Sequence, residues 1–390
     1  MGPETLPIVL TLVSFGLLIY THVGYPALLW LLSRLVPQQD RRSDEPPKWP
    51  HVSILVSAYN EEAIIDDRIR NLLELEYPRA SLEILVGSDG SSDRTCQIVS
   101  QYASHGIRLV AFTQRRGKAS VVNDLVAKAK GEFVVLTDAN TFFYPDAVRE
   151  LVRALWRNPL ACAVLGRLDL RSSEETGNLD GVYWRYDTFI KTLESHFGSV
   201  VGGNGAIYAF PRNRYQPISP QAISNDDFLI PMLIRLHSGG QVFFAPSARA
   251  WERSPERVRD EFQRHVRIGA GGLQGILWTW RLLLPWKGMV ALAYFSHKVL
   301  RWLGPWFMLV GFVANLWLLD RPFFRALFVG QLVLYGLAAG ATLVCHVPIL
   351  GKVATAARFF LVLNAAVMLG FIRFALGVPR PTWETAPRRA

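Results

Sequence analysis

The chain has 390 residues, of which half are hydrophobic and only 19% are charged, whereas a soluble domain carries about 25% charged residues. The net charge is +10, and from residue 289 onward ten Lys and Arg side chains lie among apolar runs with only two acids. This pattern is typical of contact with membrane lipids and excludes the basic stripe of a nucleic-acid-binding domain. Three distant cysteines give neither a disulfide framework nor a zinc site, which fits a reducing cytoplasm.

The first predicted element is an apolar run over residues 6–35, long enough to cross a hydrocarbon core about 30 Å thick. It lacks the basic start of a signal peptide, so we expect residues 1–36 to form a retained transmembrane helix. The alternative is a long buried core helix. Basic residues follow the run at Arg34, Arg41, Arg42 and Lys48. By the positive-inside rule, they predict an inner-membrane protein whose next domain is cytoplasmic.

After a Pro-rich linker, strand-like runs alternate with segments of helical period across residues 50–254. Strands are predicted at 52–57, 82–87, 107–112, 132–137 and 161–166. Helices are predicted near 61–76, 92–104, 117–130 and 145–157. This alternation predicts an α/β domain with a mostly parallel sheet and helices on both faces. Ligands of such sheets bind outside the carboxyl ends of the strands, so polar residues after strands are the candidates for chemistry.

Membrane-associated segments are predicted again after this domain. Residues 255–288 read as amphipathic helices at the membrane surface, and residues 289–379 contain about three further spans. These spans are predicted at 302–319, 324–345 and 356–376. This topology puts the tail, residues 380–390, on the outer side, where its three arginines fit poorly. A re-entrant segment in place of one span therefore stays open as an alternative.

Candidate donor-binding residues follow the first three predicted strands. Tyr59 can stack on a base and Glu61 can bind a ribose or base edge, although a helix start with an acidic first turn explains them equally well. Asp89 is placed to accept hydrogen bonds from a nucleotide base. Lys118 follows Gly117 at a helix start, where free amides and the cation favour a diphosphate. The alternative for this last pair is a basic surface turn.

Later polar residues suit metal binding and proton transfer. The fourth strand runs directly into Asp138 and Asn140, two oxygen ligands suited to Mg²⁺ or Mn²⁺ bound to a diphosphate. Asp226 and Asp227 precede a helical run, and either is a candidate general base for an acceptor hydroxyl. The alternative for one of the two is a helix N-cap. Arg267 can reach a phosphate or extend its charge to the lipid headgroups.

In this order and spacing, the residues resemble the motifs of the family 2 glycosyltransferases, in particular the membrane-integrated cellulose, hyaluronan and poly-N-acetylglucosamine synthases. The resemblance covers roughly residues 50–275. It implies a GT-A (Rossmann-like) nucleotide-sugar-binding domain combined with transmembrane α-helices. It also implies an inverting transfer from a UDP-linked hexose or N-acetylhexosamine to a glycan or lipid-linked acceptor, with export subunits as further partners.

The resemblance implies a role for each residue of the series. The nucleotide and diphosphate side is implied to consist of Tyr59, Glu61, Asp89, Lys118 and Asp138. Asp227 corresponds to the general base at the end of a TED-like triplet. Gly203 and Asn204 correspond to the loop on the acceptor side.

Three departures from the family pattern affect the interpretation. Asn140 replaces the second acid of the DxD metal motif. In the QxxRW motif of processive members, Arg267 is retained, but Arg264 replaces Gln and Ile268 replaces the Trp that stacks on the acceptor sugar. Transfer of a single sugar to a lipid acceptor is therefore the alternative to polymer synthesis. An inactive sugar-binding scaffold in an export complex is a third hypothesis.

Overall fold

The computed structural model describes residues 4–36, 45–171, 179–203, 205, 207–223, 225–253 and 258–378. The predicted tail, residues 380–390, and the candidate Asn204 lie outside the described residues. Within them, one mixed α/β domain lies between an N-terminal helix and a group of C-terminal helices.

The domain is built on an eight-stranded sheet with the order β3-β2-β1-β4-β7-β6-β8-β5. The strands are β1 Val52–Ala58, β2 Leu82–Asp89, β3 Ile107–Phe112, β4 Phe133–Asp138, β5 Phe142–Phe143, β6 Ala161–Arg171, β7 Tyr208–Pro211 and β8 Gln241–Arg253. Strands β1 to β4 pair in parallel, as predicted. The other half is mixed, since β7 is antiparallel to β4 and β6, and β5 is antiparallel to β8. The prediction omitted β5, β7 and β8, and it ended β6 five residues early.

Fourteen α-helices are present in the described residues. They are α1 Thr5–Ile19, α2 Tyr25–Leu35, α3 Ile65–Leu73, α4 Thr95–Ser100, α5 Lys118–Lys128, α6 Ala147–Arg157, α7 Leu179–His196, α8 Asp226–Ser238, α9 Val258–Thr279, α10 Met289–Ala293, α11 Leu300–Asn315, α12 Pro322–Ala339, α13 Ala341–Val344 and α14 Pro348–Ala375. Helices α3 to α6 confirm the four predicted in the α/β region, although each is shorter than predicted.

The buried core lies on both faces of the parallel strands. All seven residues of β1 are buried, and successive side chains point to opposite faces of a strand. Ile54 therefore packs in one cluster with Ile69 of α3, whereas Leu55 packs in the other with Leu125 of α5. Because helices cover both faces, the carboxyl ends of β1, β2 and β4 are fixed side by side and form one edge for a binding site.

Four apolar helices are long enough to cross a membrane, which is the number predicted from the sequence. They are Thr5–Leu35, Met289–Leu318, Pro322–Ala339 and Pro348–Ala375. The second begins at Met289 rather than at residue 302, and the third ends at Ala339 rather than at 345. The first two contain π-helical turns, at Tyr20–Gly24 and Tyr294–Val299. These turns are in contact, because the Tyr20 hydroxyl lies 2.9 Å from Ser296 Oγ.

The region predicted to be interfacial consists mainly of α9, which packs directly on α14. A Cβ atom added to Gly269 of α9 would lie 2.5 Å from the Val367 carbonyl oxygen. A Cβ atom on Gly370 of α14 would overlap the Val266 carbonyl oxygen. The two backbones therefore touch, as small residues permit in membrane helix packing. This contact joins the α/β domain to the last span, while the position of α9 at the membrane surface stays a prediction.

Candidate active site

One lysine joins two of the predicted acids at the edge of the sheet. Lys118, the first residue of α5, places its Nζ atom 2.6 Å from Asp138 Oδ1 at the end of β4. The same Nζ atom lies 2.8 Å from Asp226 Oδ1 at the start of α8. The ends of one strand and two helices therefore meet at a single cation, and the predicted convergence of these three residues is observed.

The charges in this group perturb one another. Burial lowers the pKa of Lys118, but Asp138 and Asp226 outweigh this effect and raise the pKa above its ordinary value. Burial raises the pKa of Asp226; Lys118 opposes the increase, and Asp138 and Asp227 add to it. The Tyr208 hydroxyl of β7 donates a hydrogen bond to Asp226 Oδ2 at 3.0 Å. Both oxygens of Asp226 thus have partners, which makes it an anchor for the lysine.

Asp227 lies against the predicted acceptor loop. Its Oδ2 atom accepts a hydrogen bond from the Gly205 amide at 2.8 Å, and its carbonyl oxygen accepts one from the Gly203 amide at 3.2 Å. A Cβ atom on Gly203 would lie 3.3 Å from Asp227 Cβ, so the close approach requires the small residue. Of the two neighbouring aspartates, the half-buried Asp227 is the one placed beside this loop.

Asp89 organises the loop that leads into α5. It is completely buried, and its two carboxylate oxygens accept hydrogen bonds from the amides of Arg116, at 2.7 Å, and Gly117, at 2.9 Å. The carboxylate at the end of β2 therefore already binds these two amides, and a diphosphate at the start of α5 stays a prediction. Direct contact of Asp89 with a base stays a prediction.

The end of β1 is tied to the segment that follows β2. The Asn60 side-chain oxygen accepts a hydrogen bond from the Ser92 amide at 2.9 Å, and the Glu61 amide donates to Thr95 Oγ1 at 2.8 Å. The Arg115 guanidinium carbon lies 3.8 Å from the centre of the Tyr59 ring. An aromatic ring and a planar cation thus stand together at the sheet edge, although nucleotide binding by Tyr59 and Glu61 stays a prediction.

A divalent cation at Asp138 and Asn140 would need further oxygen ligands. Asp138 is half-buried and Asn140 follows it by two residues in a turn. Among the described residues, no group of three or more His, Cys, Asp or Glu side chains is arranged to hold a metal ion. Mg²⁺ is commonly bound through one or two carboxylates together with substrate phosphates and water. Asp138 and Asn140 therefore fit such an ion when the donor diphosphate supplies further oxygen ligands.

Arg264 of α9 faces the same acids. Burial lowers its pKa, but Glu261, Glu252, Asp227 and Asp138 together raise the pKa above its ordinary value. Arg267 lies three residues further along α9, a spacing that places neighbouring side chains on one helix face. Its contact with a phosphate stays a prediction.

The sequence analysis missed Arg68, a positively charged residue beneath the site. Arg68 of α3 is completely buried, and its guanidinium donates to Thr137 Oγ1 at 2.9 Å and to Asn71 Oδ1 at 2.7 Å. Burial lowers its pKa to about 9, against the opposing effect of Asp138 and Glu252. A signal was available in the sequence, because helical spacing places an arginine at position 68 on the apolar face of α3.

The parallel donor-side strands, the acids at their ends and the four apolar helices define a membrane-integrated enzyme of the GT-A glycosyltransferase class. Residues 53–206 match the sequence profile of glycosyl transferase family 2. Residues 133–370 match that of glycosyl transferase family group 2. The second match covers more than half of the chain, and the protein therefore belongs to this glycosyltransferase family.

Relatives in sequence and structure agree with this assignment. The poly-beta-1,6-N-acetyl-D-glucosamine synthase of Staphylococcus epidermidis is 27% identical over 231 residues, which are 58% of this chain and 55% of the relative. The probable glycosyltransferase YdaM of Bacillus subtilis is 28% identical over 59% of each chain. This chain thus aligns with little more than half the length of these relatives.

A solved structure resembles the chain over almost its whole length. It is the mannosyltransferase PcManGT from Pyrobaculum calidifontis, in complex with GDP-Man and Mn²⁺. The sequences are 22% identical, the TM-score is 0.70, and the alignment covers 96% of this chain and 99% of the other. At this identity the similarity establishes the fold, including the arrangement of the apolar helices around the GT-A domain.

Proposed function

We propose that the protein transfers a hexose or N-acetylhexosamine, with inversion, from a UDP-sugar to a hydroxyl group of a growing glycan at the membrane. Asp227 accepts the proton of the attacking hydroxyl, a role that requires a carboxylate within hydrogen-bonding reach of the acceptor. The observation that supports this proposal best is the contact of Asp227 with Gly203 and Gly205, the loop proposed to receive the acceptor.

The remaining residues are assigned to the donor. Tyr59, Glu61 and Asp89 form the nucleotide side, while Lys118 neutralises charge on the diphosphate. Asp138 and Asn140 would hold Mg²⁺ or Mn²⁺, and such an ion would stabilise negative charge on the leaving diphosphate. Arg264 and Arg267 contribute positive charge from α9. The proposal is supported by the pKa effect of Asp138 and Asp227 on Arg264.

Transfer of one sugar to a lipid acceptor is the second candidate. The observation that favours it is Ile268. This residue corresponds to the sugar-stacking tryptophan in the QxxRW motif of the processive synthases. An aliphatic side chain offers no flat π surface for a sugar ring. Analysis of product mass distinguishes the candidates, because a single addition gives one product and polymer synthesis gives a ladder.

The test combines donor screening with substitution of the base. The purified protein in detergent is offered a panel of nucleotide sugars with Mn²⁺ or Mg²⁺, and nucleotide release and product mass are measured. Asp227→Asn is expected to lower kcat by about 10²- to 10⁴-fold, the usual contribution of a general base. Donor affinity measured by calorimetry should change little, because Asp227 lies on the acceptor side.

The matched control is Asp67→Asn, which removes an exposed carboxylate of α3 that has no role assigned in the proposal. Its activity should equal that of the wild type. Full activity of Asp227→Asn would contradict the assignment of the base. A wild-type protein that releases no nucleotide from any donor would contradict the enzyme proposal and favour the scaffold hypothesis.

A further inference from the structure

A group of charged residues lies between α7 and the second membrane span, apart from the residues assigned to the donor. We call it the α7 charge cluster. Its members are Asp187, Lys191 and Glu194 of α7 and His297, Lys298 and Arg301 of the span Met289–Leu318. Charges at the edge of a membrane are costly and commonly mark functional sites. The proposed function assigns no role to these residues.

Most members of the cluster neutralise one another. Lys191 Nζ lies 2.7 Å from Asp187 Oδ2, and His297 Nδ1 lies 2.8 Å from Glu194 Oε1. Arg301 lies 3.6 Å from Asp187. Glu194 also accepts a hydrogen bond from the Tyr25 hydroxyl of the first span at 2.8 Å. These contacts give the two carboxylates their partners and join both spans to α7.

Lys298 differs from the other cations of the cluster. With the residues that the structure describes, its ammonium group makes no hydrogen bond or salt bridge, and its nearest aromatic contact is Trp302, 5.9 Å away. The ammonium lies beside the acceptor loop, because a Cβ atom on Gly202 would be 3.3 Å from Lys298 Nζ. Gly202 has a φ of +88° and directly precedes Gly203, which contacts Asp227.

We propose that the Lys298 ammonium binds an anionic group of the acceptor, a phosphate or a carboxylate, next to the hydroxyl that Asp227 activates. This inference rests on the proposed function and specifies its acceptor. A partly buried cation that makes no direct ion pair is unfavourable, and an arriving anion reduces that cost. Two acids act on Lys298, Asp187 and Asp227. Asp187 is already paired with Lys191, and Asp227 already accepts a hydrogen bond from Gly205.

The same anion chemistry has two sources, the phosphate of a lipid carrier and the carboxylate of an acidic sugar. The probes are therefore decyl phosphate paired with decanol, and methyl glucuronide paired with methyl glucoside. Each probe is tested as an inhibitor of donor hydrolysis by the purified protein. Direct titration calorimetry of each probe gives the same comparison without turnover. The proteins are wild type, Lys298→Met, Lys298→Arg and Lys287→Met.

An anionic probe is expected to bind wild type more tightly than its neutral partner. Lys298→Met should weaken binding of that probe about 10- to 100-fold, the value of a hydrogen bond to a charged group. Lys298→Arg should restore part of the affinity. Lys287→Met removes an exposed cation at the same end of the span and should behave as wild type. If decyl phosphate is the probe whose binding depends on Lys298, the anion comes from a lipid carrier. If methyl glucuronide is that probe, the anion comes from an acidic sugar.

Equal binding of anionic and neutral probes to wild type would overturn the inference. So would an equal loss for both kinds of probe in Lys298→Met, which would indicate a structural role. A third overturning result is unchanged probe binding with a shifted pH profile of hydrolysis, because Lys298 would then act through Asp227. Failure of the proposed function is seen separately, as the lack of nucleotide release by wild type.

Discussion

At the residue scale, the site depends on one lysine that serves two acids. Lys118 lies within 2.8 Å of both Asp138 and Asp226, and these acids raise its pKa. The ammonium therefore stays charged throughout the physiological pH range. In the proposed function, a donor diphosphate that approaches Asp138 meets this charge, whereas without it the acids would repel the phosphates.

Lys118→Met should weaken binding of UDP in the presence of Mn²⁺ by about 10- to 100-fold, because a charge-assisted contact is lost. Titration calorimetry measures the change. Lys128→Met is the matched control, since it removes an exposed lysine from the same helix, and its affinity should be that of wild type. Equal affinities of the two variants would contradict a role for Lys118 at the diphosphate.

The residues that follow strands and the acids that begin α8 were predictable from the sequence, whereas some of their partners were not. Asp138 was identifiable because a buried strand leads directly into it, and the edge of a parallel sheet is a known binding position. Tyr208 and Lys298 were not identifiable in this way. They reach the site through β7 and a π-helical turn, and neither pairing is encoded in local spacing.

At the element scale, Glu83 links several parts of the donor half. Its Oε2 atom accepts hydrogen bonds from Ser53 Oγ of β1 at 2.6 Å and from the Lys130 amide at 2.9 Å. Its other oxygen pairs with Arg108 of β3. One carboxylate thus joins three adjacent strands and the turn after α5, at the end of the sheet opposite the site.

Glu83→Gln should lower the free energy of unfolding at pH 7 by about 1–3 kcal/mol, because it removes charge-assisted hydrogen bonds. Burial raises the pKa of Glu83, but Ser53, Lys130 and Arg108 outweigh it and hold the pKa below its ordinary value. A lowered folded-state pKa stabilises the protein above the unfolded pKa, about 4.3, and this stabilisation is lost as the pH falls below it.

The difference between wild type and Glu83→Gln should therefore narrow from pH 7 to pH 3.5. Tryptophan fluorescence during denaturant unfolding in detergent measures the free energy of unfolding at both pH values. Glu74→Gln, which changes an exposed acid of the same domain, should show little difference at either pH. A Glu83→Gln difference that does not depend on pH would contradict the proposed role of its charge.

The elements of the donor half could be predicted because their strands are continuous apolar runs between amphipathic helices. The acceptor half was harder to predict. β7 has only four residues, and β8 pairs with β6 through register shifts near Ala163 and Arg167. Its pairing partners are distant in sequence, so neither the mixed pairing nor the length of β6 follows from local periodicity.

At the scale of the whole molecule, the four apolar helices give the protein two distinct ends. Arg321, between the second and third helices, lies 2.6 Å from Glu4 at the start of the first. At the other end of the first helix, the Val36 carbonyl oxygen lies 2.7 Å from His196 Nε2 of α7, in the catalytic domain. The turn near Arg321 and the catalytic domain are therefore on opposite sides of the membrane-spanning group.

The expected topology has the catalytic domain in the cytoplasm and residues near 320 outside. In intact cells, a membrane-impermeant maleimide should label Asp320→Cys, a change at an exposed position. It should label the exposed Cys345 only after permeabilisation. Labelling is read by mass shift, in variants where Cys96 is replaced by Ser. Labelling of Cys345 in intact cells would contradict this orientation or indicate the re-entrant alternative.

The number of membrane helices and the α/β domain between them were predictable, since both depend on long runs of one composition. The start of the second helix was not, because Ser296, His297 and Lys298 interrupt the apolar pattern. Those polar residues face protein rather than lipid: Ser296 and His297 are almost completely buried. These polar residues can therefore lie within a membrane span because they are buried against protein partners.

The two π-helical turns that contact each other make the first two spans sensitive to the deletion of a residue. A π turn accommodates one more residue than an α turn, and one residue corresponds to about 100° of rotation in an α-helix. Deleting a single residue from Tyr294–Val299 would restore regular helix and turn the preceding part of the span relative to Arg301. The orientation of Lys298 towards Gly202 thus depends on a surplus of one residue, and a helix of ideal geometry would turn a different face to this loop.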